Sequence, residues 1–203
     1  MALIEAKKEF RVKYEIPFFT QRINLSDPNL EGFRSVEDAQ YWQERGCGIA
    51  CLRMIVEGLN GKSGSHTYGS LVYEGLHQKA FCERGWIHVG LVNLAKSFSV
   101  SGRAFRRQSV GDLFEAVTEG SPCIASVSVC FRGGQIGKQG TVIKAGGHLV
   151  VVLGAKSEGG KVTGFVVHHP SSNQDYDWEN HFVPIERFEP SFSGGFMAFS
   201  VAD

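Results

Sequence analysis

Apolar residues recur at helical spacing through the first part of the chain and at strand spacing through the second part. The helical spacing predicts a short turn over residues 38–43 and then helices over residues 49–59, 68–81, 88–98 and 112–118, the last capped by Ser109. Runs rich in valine and phenylalanine predict strands over residues 123–131, 148–155, 161–168 and 195–201. Glu158-Gly159-Gly160 predicts a hairpin turn between the middle two strands.

This order, helices first and strands second, predicts an α+β fold. A helical part over about residues 36–120 is expected to pack on an antiparallel sheet over about residues 121–203. The 203 residues fit a single domain with a sizeable core, and no internal repeat or low-complexity linker divides them. Folds made of two such parts bind ligands in the cleft between the parts.

Charge and cysteine content narrow the class of protein. The 21 Lys and Arg residues balance the 21 Asp and Glu residues, so nothing favours nucleic acid or a membrane as a partner, and the basic run over residues 103–107 is interpreted as a solvated edge. No apolar run is long enough to span a bilayer, and the start of the chain is too charged for a signal peptide. Five irregularly spaced cysteines predict reduced thiols in a cytoplasmic protein. The oligomeric state is left open.

Cys47 is the strongest candidate for chemistry. It lies in the segment RGCGIACLRMI (residues 45–55), where a loop bracketed by Gly46 and Gly48 runs into an apolar helical pattern. The sequence therefore predicts a thiol in the first turn of a buried helix. Partial positive charge and unpaired N–H groups at such a helix end favour a thiolate over a thiol.

His148 is the matching candidate for a base, because it heads the buried-strand pattern GGHLVVVLG (residues 146–154). A cysteine at a helix start and a distant histidine on a strand are typical of a thiol nucleophile and its base. The alternative is a small buried residue and a satisfied core histidine. The glycines beside both residues favour the functional interpretation, since they let backbone and substrate approach closely.

Four segments together resemble the papain-like cysteine peptidases related to the bacteriocin-processing (double-glycine leader) enzymes. They are IPFFTQ (residues 16–21), GCGIA (residues 46–50) with Met54, GHLVVVLG (residues 147–154), and the strand end before Pro170. The resemblance spans roughly residues 15–200. It implies a papain-like fold, cleavage of a peptide or isopeptide bond in a peptide or protein substrate through an acyl-enzyme on Cys47, and no cofactor or metal. Relatives with this fold include transpeptidases and inactive proteins, so acyl transfer and peptide binding without turnover stay open.

The resemblance assigns a third catalytic group, at which this chain departs from the family. The family has an aspartate directly before the proline that follows the second core strand, where this chain has His169. A neutral imidazole accepts a hydrogen bond from the His148 ring but adds no fixed negative charge. His169 is expected to orient His148, with Asn173 in reserve and Asp175 and Asp177 as further alternatives.

The family also places a glutamine upstream of the cysteine, whose amide N–H joins the cysteine backbone N–H in binding the oxyanion. Gln21 matches the family's pattern of an apolar residue, Pro, an aromatic residue and then Gln. Gln43 is closer to Cys47 in sequence and is the rival; Gln21 is slightly favoured.

A possible metal site and a glycine-rich segment are the remaining candidates for function. Cys47, His148 and His169 would suit an inhibitory zinc ion if the three converged. The glycine-rich segment over residues 133–140 lacks the ending of a phosphate-binding loop and is interpreted as a flap near the cleft.

Overall fold

The computed structural model describes residues 6–62, 64–128, 131 and 147–202. The helices in these ranges are α1 (Val36–Gln43), α2 (Cys47–Asn60), α3 (Tyr68–His77), α4 (His88–Lys96), α5 (Val110–Thr118) and α6 (Ile185–Ser191). The strands are β1 (Lys7–Arg11), β2 (Phe81–Cys82), β3 (Gly85–Trp86), β4 (Val100–Phe105), β5 (Cys123–Ser128), β6 (Gly147–Glu158), β7 (Lys161–His169), β8 (Trp178–Pro184) and β9 (Phe192–Val201). None of the helices in the described ranges has the length and apolar content needed to cross a bilayer.

Seven of these strands form one antiparallel sheet. Six of them follow the order β4-β9-β5-β6-β7-β8, and β1 pairs with β6. The long strand β6 pairs with β5 through its first half and with β1 through its second half, while β7 lies along its other edge. β2 and β3 form a separate small hairpin.

α2 is the central helix of the structure. Ile49, Leu52 and Ile55 have no exposed surface, and neither does Cys51. A helix that is apolar on most of its sides is stable only when it is buried between other elements. Gly61 ends α2 in the left-handed conformation (φ 63°), which a residue without a side chain adopts readily.

One end of the sheet gathers the residues of interest. Val127 of β5 pairs with His148 of β6 on one side and with Phe192 of β9 on the other. β7 runs antiparallel to β6, so its last residue, His169, lies at the same end as the start of β6. This end of the sheet therefore collects two histidines that are distant in sequence.

The α+β prediction is confirmed, with element ends shifted by a few residues. Gly159 and Gly160 form the predicted hairpin turn and both have positive φ (58° and 79°), as a type I′ turn requires. Ser109 caps α5 as predicted: its side chain accepts a hydrogen bond from the Asp112 N–H, and the Asp112 side chain accepts one from the Ser109 N–H.

The predicted division into a helical part over residues 36–120 and a sheet over residues 121–203 is wrong in detail. β4 lies within residues 36–120 and joins the sheet, as does β1, which precedes residue 36, and α6 lies in the second part. β8 was not predicted. The strands β1 and β8 carry many polar residues because they are half-exposed, so they lack the apolar runs that announce a buried strand.

Candidate active site

Cys47 is the first residue of α2, as the sequence predicts, and its side chain is half-buried. Gly46 precedes it and offers no side-chain cap; its carbonyl accepts hydrogen bonds from the Ile49 and Ala50 N–H groups, each at 3.0 Å. The first N–H groups of a helix have no acceptor inside the helix, and the helix end carries partial positive charge. A thiolate is favoured at this position.

One helical turn further on, Cys51 ties α2 to β6. Its Sγ donates a hydrogen bond to the Leu149 carbonyl at 3.3 Å. Residues four apart share one face of a helix, and His148 directly precedes Leu149. The first turn of α2, which begins with Cys47, therefore packs toward the start of β6. Burial, and then the neighbouring Cys47, raise the pKa of the Cys51 thiol, which keeps it a neutral donor.

The His148 and His169 rings contact each other, with centroids 4.7 Å apart and planes at 60°. His169 has no exposed surface. Its ring also packs against Trp178, at 5.0 Å between centroids, and against Phe131, at 5.4 Å. The structure thus brings together the residue predicted as the base and the residue predicted to orient it.

The tautomer of His169 follows from its contact with the backbone. Its Nδ1 forms a hydrogen bond with the Tyr176 carbonyl. A carbonyl only accepts, so Nδ1 carries the proton, and Nε2 of the neutral ring is then an acceptor. His169 therefore presents the acceptor that an N–H group of a neighbouring histidine needs.

The alternatives to His169 as the third catalytic group make other contacts. The Asn173 side chain is exposed and accepts a hydrogen bond from the N–H of Asp175, which is also exposed, in a 3-10 turn. The Asp177 carboxylate is only 4% exposed; it accepts hydrogen bonds from the Ser171 N–H at 3.1 Å and from the Arg22 guanidinium at 3.0 and 3.2 Å. Asn173 therefore closes a surface turn, and Asp177 anchors the loop that follows β7.

The Arg22–Asp177 ion pair borders the candidate site, and the sequence does not predict this pairing. It joins the segment that contains Gln21 to the loop that follows His169, two segments that are 155 residues apart at the ion pair. A single arginine and a single aspartate form no local pattern. The available signals are the position of Arg22, directly after Gln21, and the candidacy of Asp177 as a third group.

The structure distinguishes the two candidate glutamines. Gln21 is 3% exposed, and its Nε2 donates to the Gln43 backbone carbonyl at 2.6 Å. Its Oε1 is buried without a hydrogen-bond partner among the described residues. The Gln43 side chain instead accepts from the Ile23 N–H at 2.8 Å and so holds the backbone two residues after Gln21. Gln21 is thus the glutamine whose amide lies buried beside the connection that leads to Cys47.

Gly46 and Gly48 have a different role from the one predicted. A Cβ added to Gly46 would clash with the Tyr68 hydroxyl, and one added to Gly48 would lie 2.7 Å from Trp86 Cγ. These glycines therefore admit two aromatic side chains of the protein itself, not the substrate. A Cβ on Gly147, beside His148, would meet no atom within 4 Å.

His168, the neighbour of His169, is a structural residue with no exposed surface. Its Nε2 lies 3.0 Å from the Ile16 carbonyl, and its Nδ1 accepts from the Asn180 N–H at 3.0 Å. The ring is therefore neutral, with its proton on Nε2. Burial lowers the pKa of His168, with the Ile16 carbonyl and the charges of Glu179 and Arg11 as smaller influences.

We expect the free energy of unfolding to fall as the pH drops below about 6.5, the ordinary pKa of histidine. The unfolded chain takes up a proton there that the buried His168 resists, and protonation would set two N–H groups against each other at Asn180. The variant His168→Gln offers both hydrogen bonds without a charge and is expected to flatten the dependence. Urea unfolding between pH 5 and pH 8 measures this, with His77→Gln, an exposed histidine, as the control. Equal pH dependence in wild type and His168→Gln would refute the assignment.

No group of three or more His, Cys, Asp and Glu side chains in the described ranges has a metal-binding arrangement. Cys47, His148 and His169 do not form the zinc site considered above. The glycine-rich segment over residues 133–140 lies outside the described residues, as does Gly146.

The chain is similar to known proteins in sequence and in fold. The family model Peptidase_C39 like family matches residues 15–193. The structure is similar to that of a Bacillus anthracis protein described as a C39-like peptidase, with 17% identity and a TM-score of 0.60 over 95% of this chain and 98% of that chain. It is also similar to a double glycine motif protease from an AMS/PCAT transporter, solved in complex with the leader peptide, with 15% identity and a TM-score of 0.52 over 95% of each chain. UfSP from C. elegans matches at 13% identity and a TM-score of 0.53, over 98% of this chain and 35% of that chain. No curated protein matches the chain by sequence.

These structural likenesses show the α+β fold of papain-like cysteine peptidases, as the resemblance implied. A shared fold alone does not fix the reaction. The family model, by contrast, matches the sequence from before Gln21 to beyond His169. The chain belongs to the Peptidase_C39 like family.

Proposed function

We propose that this protein hydrolyses a peptide or isopeptide bond through an acyl-enzyme on Cys47, with His148 as the base. The observation that supports this most is the packing of the first turn of α2 against the start of β6, marked by the hydrogen bond from Cys51 to Leu149. The family and the fold support a cysteine peptidase-like hydrolase in general.

The reaction follows from the chemistry of a thiol and an imidazole. Cys47 Sγ attacks the carbonyl carbon while its proton passes to a ring nitrogen of His148. The C–N bond then breaks as His148 returns that proton to the leaving amine, and a thioester remains on Cys47. Water attacks the thioester, its proton passes through His148 to the sulfur, and the acid product leaves.

His169 takes the place of the family's aspartate in this proposal. Its Nδ1–H faces the Tyr176 carbonyl, so Nε2 is the ring nitrogen able to accept an N–H, and the centroid of the His148 ring lies 4.7 Å from that of His169; we propose a hydrogen bond between the two rings during catalysis. Such a hydrogen bond would hold His148 in the productive tautomer. Because a neutral imidazole stabilises a histidine cation less than a carboxylate does, the Cys47–His148 ion pair is expected to be weaker than with an aspartate.

Gln21 is proposed as the oxyanion donor, together with the Cys47 backbone N–H. One Nε2 hydrogen of Gln21 binds the Gln43 carbonyl at 2.6 Å, which fixes the amide plane and leaves the second hydrogen for the substrate. Preorganised donors of this kind stabilise the charge that develops on the carbonyl oxygen. Gln43, whose side chain is bonded to the Ile23 N–H, serves to hold this segment.

A direct test is a cleavage assay on synthetic peptides. One neighbour is a double glycine motif protease solved with a leader peptide, so peptides that contain a Gly-Gly pair are the first substrates to test. Wild type is expected to cleave, and Cys47→Ala is expected to show no turnover. In heavy-oxygen water, hydrolysis labels the new carboxylate, whereas acyl transfer to an added amine gives a product with the mass of that amine. Peptide binding with no turnover by wild type would refute the proposal in favour of a binding module.

A further inference from the structure

A basic pocket lies beside the candidate active site and has no part in the chemistry proposed above. The cavity, of about 390 Å³, lies between the β2–β3 hairpin, the start of α4 and the start of β9. Arg84, Arg106 and Arg107 line it together with His88, and no carboxylate is among its lining residues in the described part of the chain. We call this cavity the arginine pocket.

The positive charge of the arginine pocket is not neutralised within the described residues. All three arginines are exposed, and none forms a described ion pair with a carboxylate. Arginine stays charged at any pH of interest. Burial, and then the charge of Arg106, lower the pKa of His88, so that this ring is neutral near pH 7. The pocket therefore presents three fixed cationic groups to solvent.

The pocket borders β9 at two points. The N–H of Gln108, directly after Arg107, donates to the Gly194 carbonyl of β9 at 2.9 Å. The His88 ring lies close to Gly195, where a Cβ would be 2.9 Å from His88 Cε1. The start of α4 and the segment after β4 thus both contact the start of β9 at the pocket.

Trp86 is the wall that the pocket shares with the helix start at Cys47. The indole lines the cavity, packs against Gly48, and donates from Nε1 to the Arg45 carbonyl at 2.8 Å. Trp86 is 8% exposed, so most of its surface is used in these contacts. A peptide bound at Cys47 would therefore pass from one side of Trp86 to the other to reach the arginines.

The register of the sheet gives the approximate distance from His148 to the pocket. His148 and Phe192 lie on either side of Val127, so they are two strand spacings apart, about 10 Å. Ser193, the next residue, lines the pocket. An extended peptide advances about 3.3 Å per residue, so about three or four residues span the distance from His148 to the pocket edge.

We propose that the arginine pocket binds an acidic side chain of the peptide substrate, about three or four residues from the bond held at Cys47. This inference rests on the proposed function for its substrate class. It adds a specificity-determining site that selects Asp or Glu over neutral residues. The arginines of the basic run over residues 103–107 therefore differ in role. Arg106 and Arg107 line the arginine pocket, whereas Arg103 packs over the Phe105 ring at 5.2 Å and is not among the lining residues.

Binding to the Cys47→Ala protein tests the proposal without turnover. The probes are two pairs of dye-labelled peptides with a central Gly-Gly. One pair carries two adjacent glutamates, or two glutamines, about three residues before the Gly-Gly, and the other pair carries them after it. Fluorescence anisotropy is expected to show tighter binding of the glutamate peptide in one pair. Added salt is expected to weaken that preference, because charges near the surface are screened.

The matched variants remove one charge each. Arg106→Gln is expected to weaken binding of the preferred glutamate peptide about fivefold and to leave its glutamine twin unchanged. Arg84→Gln, in the β2–β3 hairpin, should do the same, whereas Arg103→Gln should have no effect. The proposal is overturned if neither pair shows a glutamate preference, or if Arg103→Gln and Arg106→Gln weaken binding equally. Failure of the catalytic proposal is a separate result, namely that wild type cleaves none of the peptides.

Discussion

Replacing His148 with alanine is expected to lower kcat/KM for a cleaved peptide by about 10⁴-fold. The imidazole is the group proposed to remove the thiol proton and to protonate the leaving amine, so both halves of the acylation step lose their proton carrier. His148 heads β6 and is not part of its fully buried stretch, so the variant is expected to stay folded. Steady-state kinetics together with circular dichroism measure both points. Loss of activity with loss of the folded signal would mean only that His148 is structural.

Variants at His169 test whether this residue orients His148. His169→Asn keeps a neutral acceptor and should retain most of the activity, whereas His169→Ala should lose about 10²-fold because His148 is no longer oriented. The ring packs against Phe131 and Trp178, so unfolding by urea must be measured for each variant. Equal kcat in His169→Ala and wild type would exclude His169 from the positioning role.

Replacing Gln21 with alanine is expected to lower kcat by about 10²- to 10³-fold while KM changes little. The amide is proposed to bind the oxygen only once negative charge develops on it, so its loss affects the transition state more than the bound substrate. Steady-state kinetics with a cleaved peptide separate kcat from KM.

Gln43→Ala removes the same kind of side chain within the same region and is the control for Gln21→Ala. The Gln43 side chain accepts from the Ile23 N–H, so its loss should destabilise the segment after Gln21 and reduce kcat by less than about tenfold. If Gln43→Ala reduces kcat more than Gln21→Ala does, the assignment of the oxyanion donor is wrong.

Local signals explain why so much of the fold was predictable. α2 carries an apolar pattern over its length, and Ser109 and the Gly159-Gly160 pair each fix a cap or a turn through a few neighbouring atoms. The half-exposed strands β1 and β8 carry no such signal, because their polar residues are compatible with strand, loop or turn. Their place is decided by pairing with β6 and β7, which is a property of the tertiary structure.

In the candidate site, too, local sequence signals predict some features and tertiary contacts decide the others. Cys47 and His148 could be proposed from the sequence because each lies at the start of an element with a strong apolar pattern. The preference for Gln21 over Gln43 as the oxyanion donor rests on tertiary contacts. The Gln21 amide donates to the Gln43 backbone carbonyl, whereas the Gln43 side chain accepts from the Ile23 N–H. Sequence spacing does not predict these contacts. A close approach at Gly46 and Gly48 was predicted correctly, but the groups that approach are Tyr68 and Trp86 and not the substrate. These two side chains come from distant segments, so no local pattern identifies them.

The rate of Cys47 alkylation by iodoacetamide against pH, in wild type and in His148→Ala, tests the central claim most directly. Mass spectrometry of the digested protein gives the rate at each cysteine, and the exposed Cys82 is an internal reference in the same sample. The account predicts that Cys47 of wild type reacts rapidly well below pH 8.5, about the pKa of a free thiol, and that His148→Ala abolishes this. Identical pH profiles for Cys47 in the two proteins, with Cys47 no more reactive than Cys82, would contradict it.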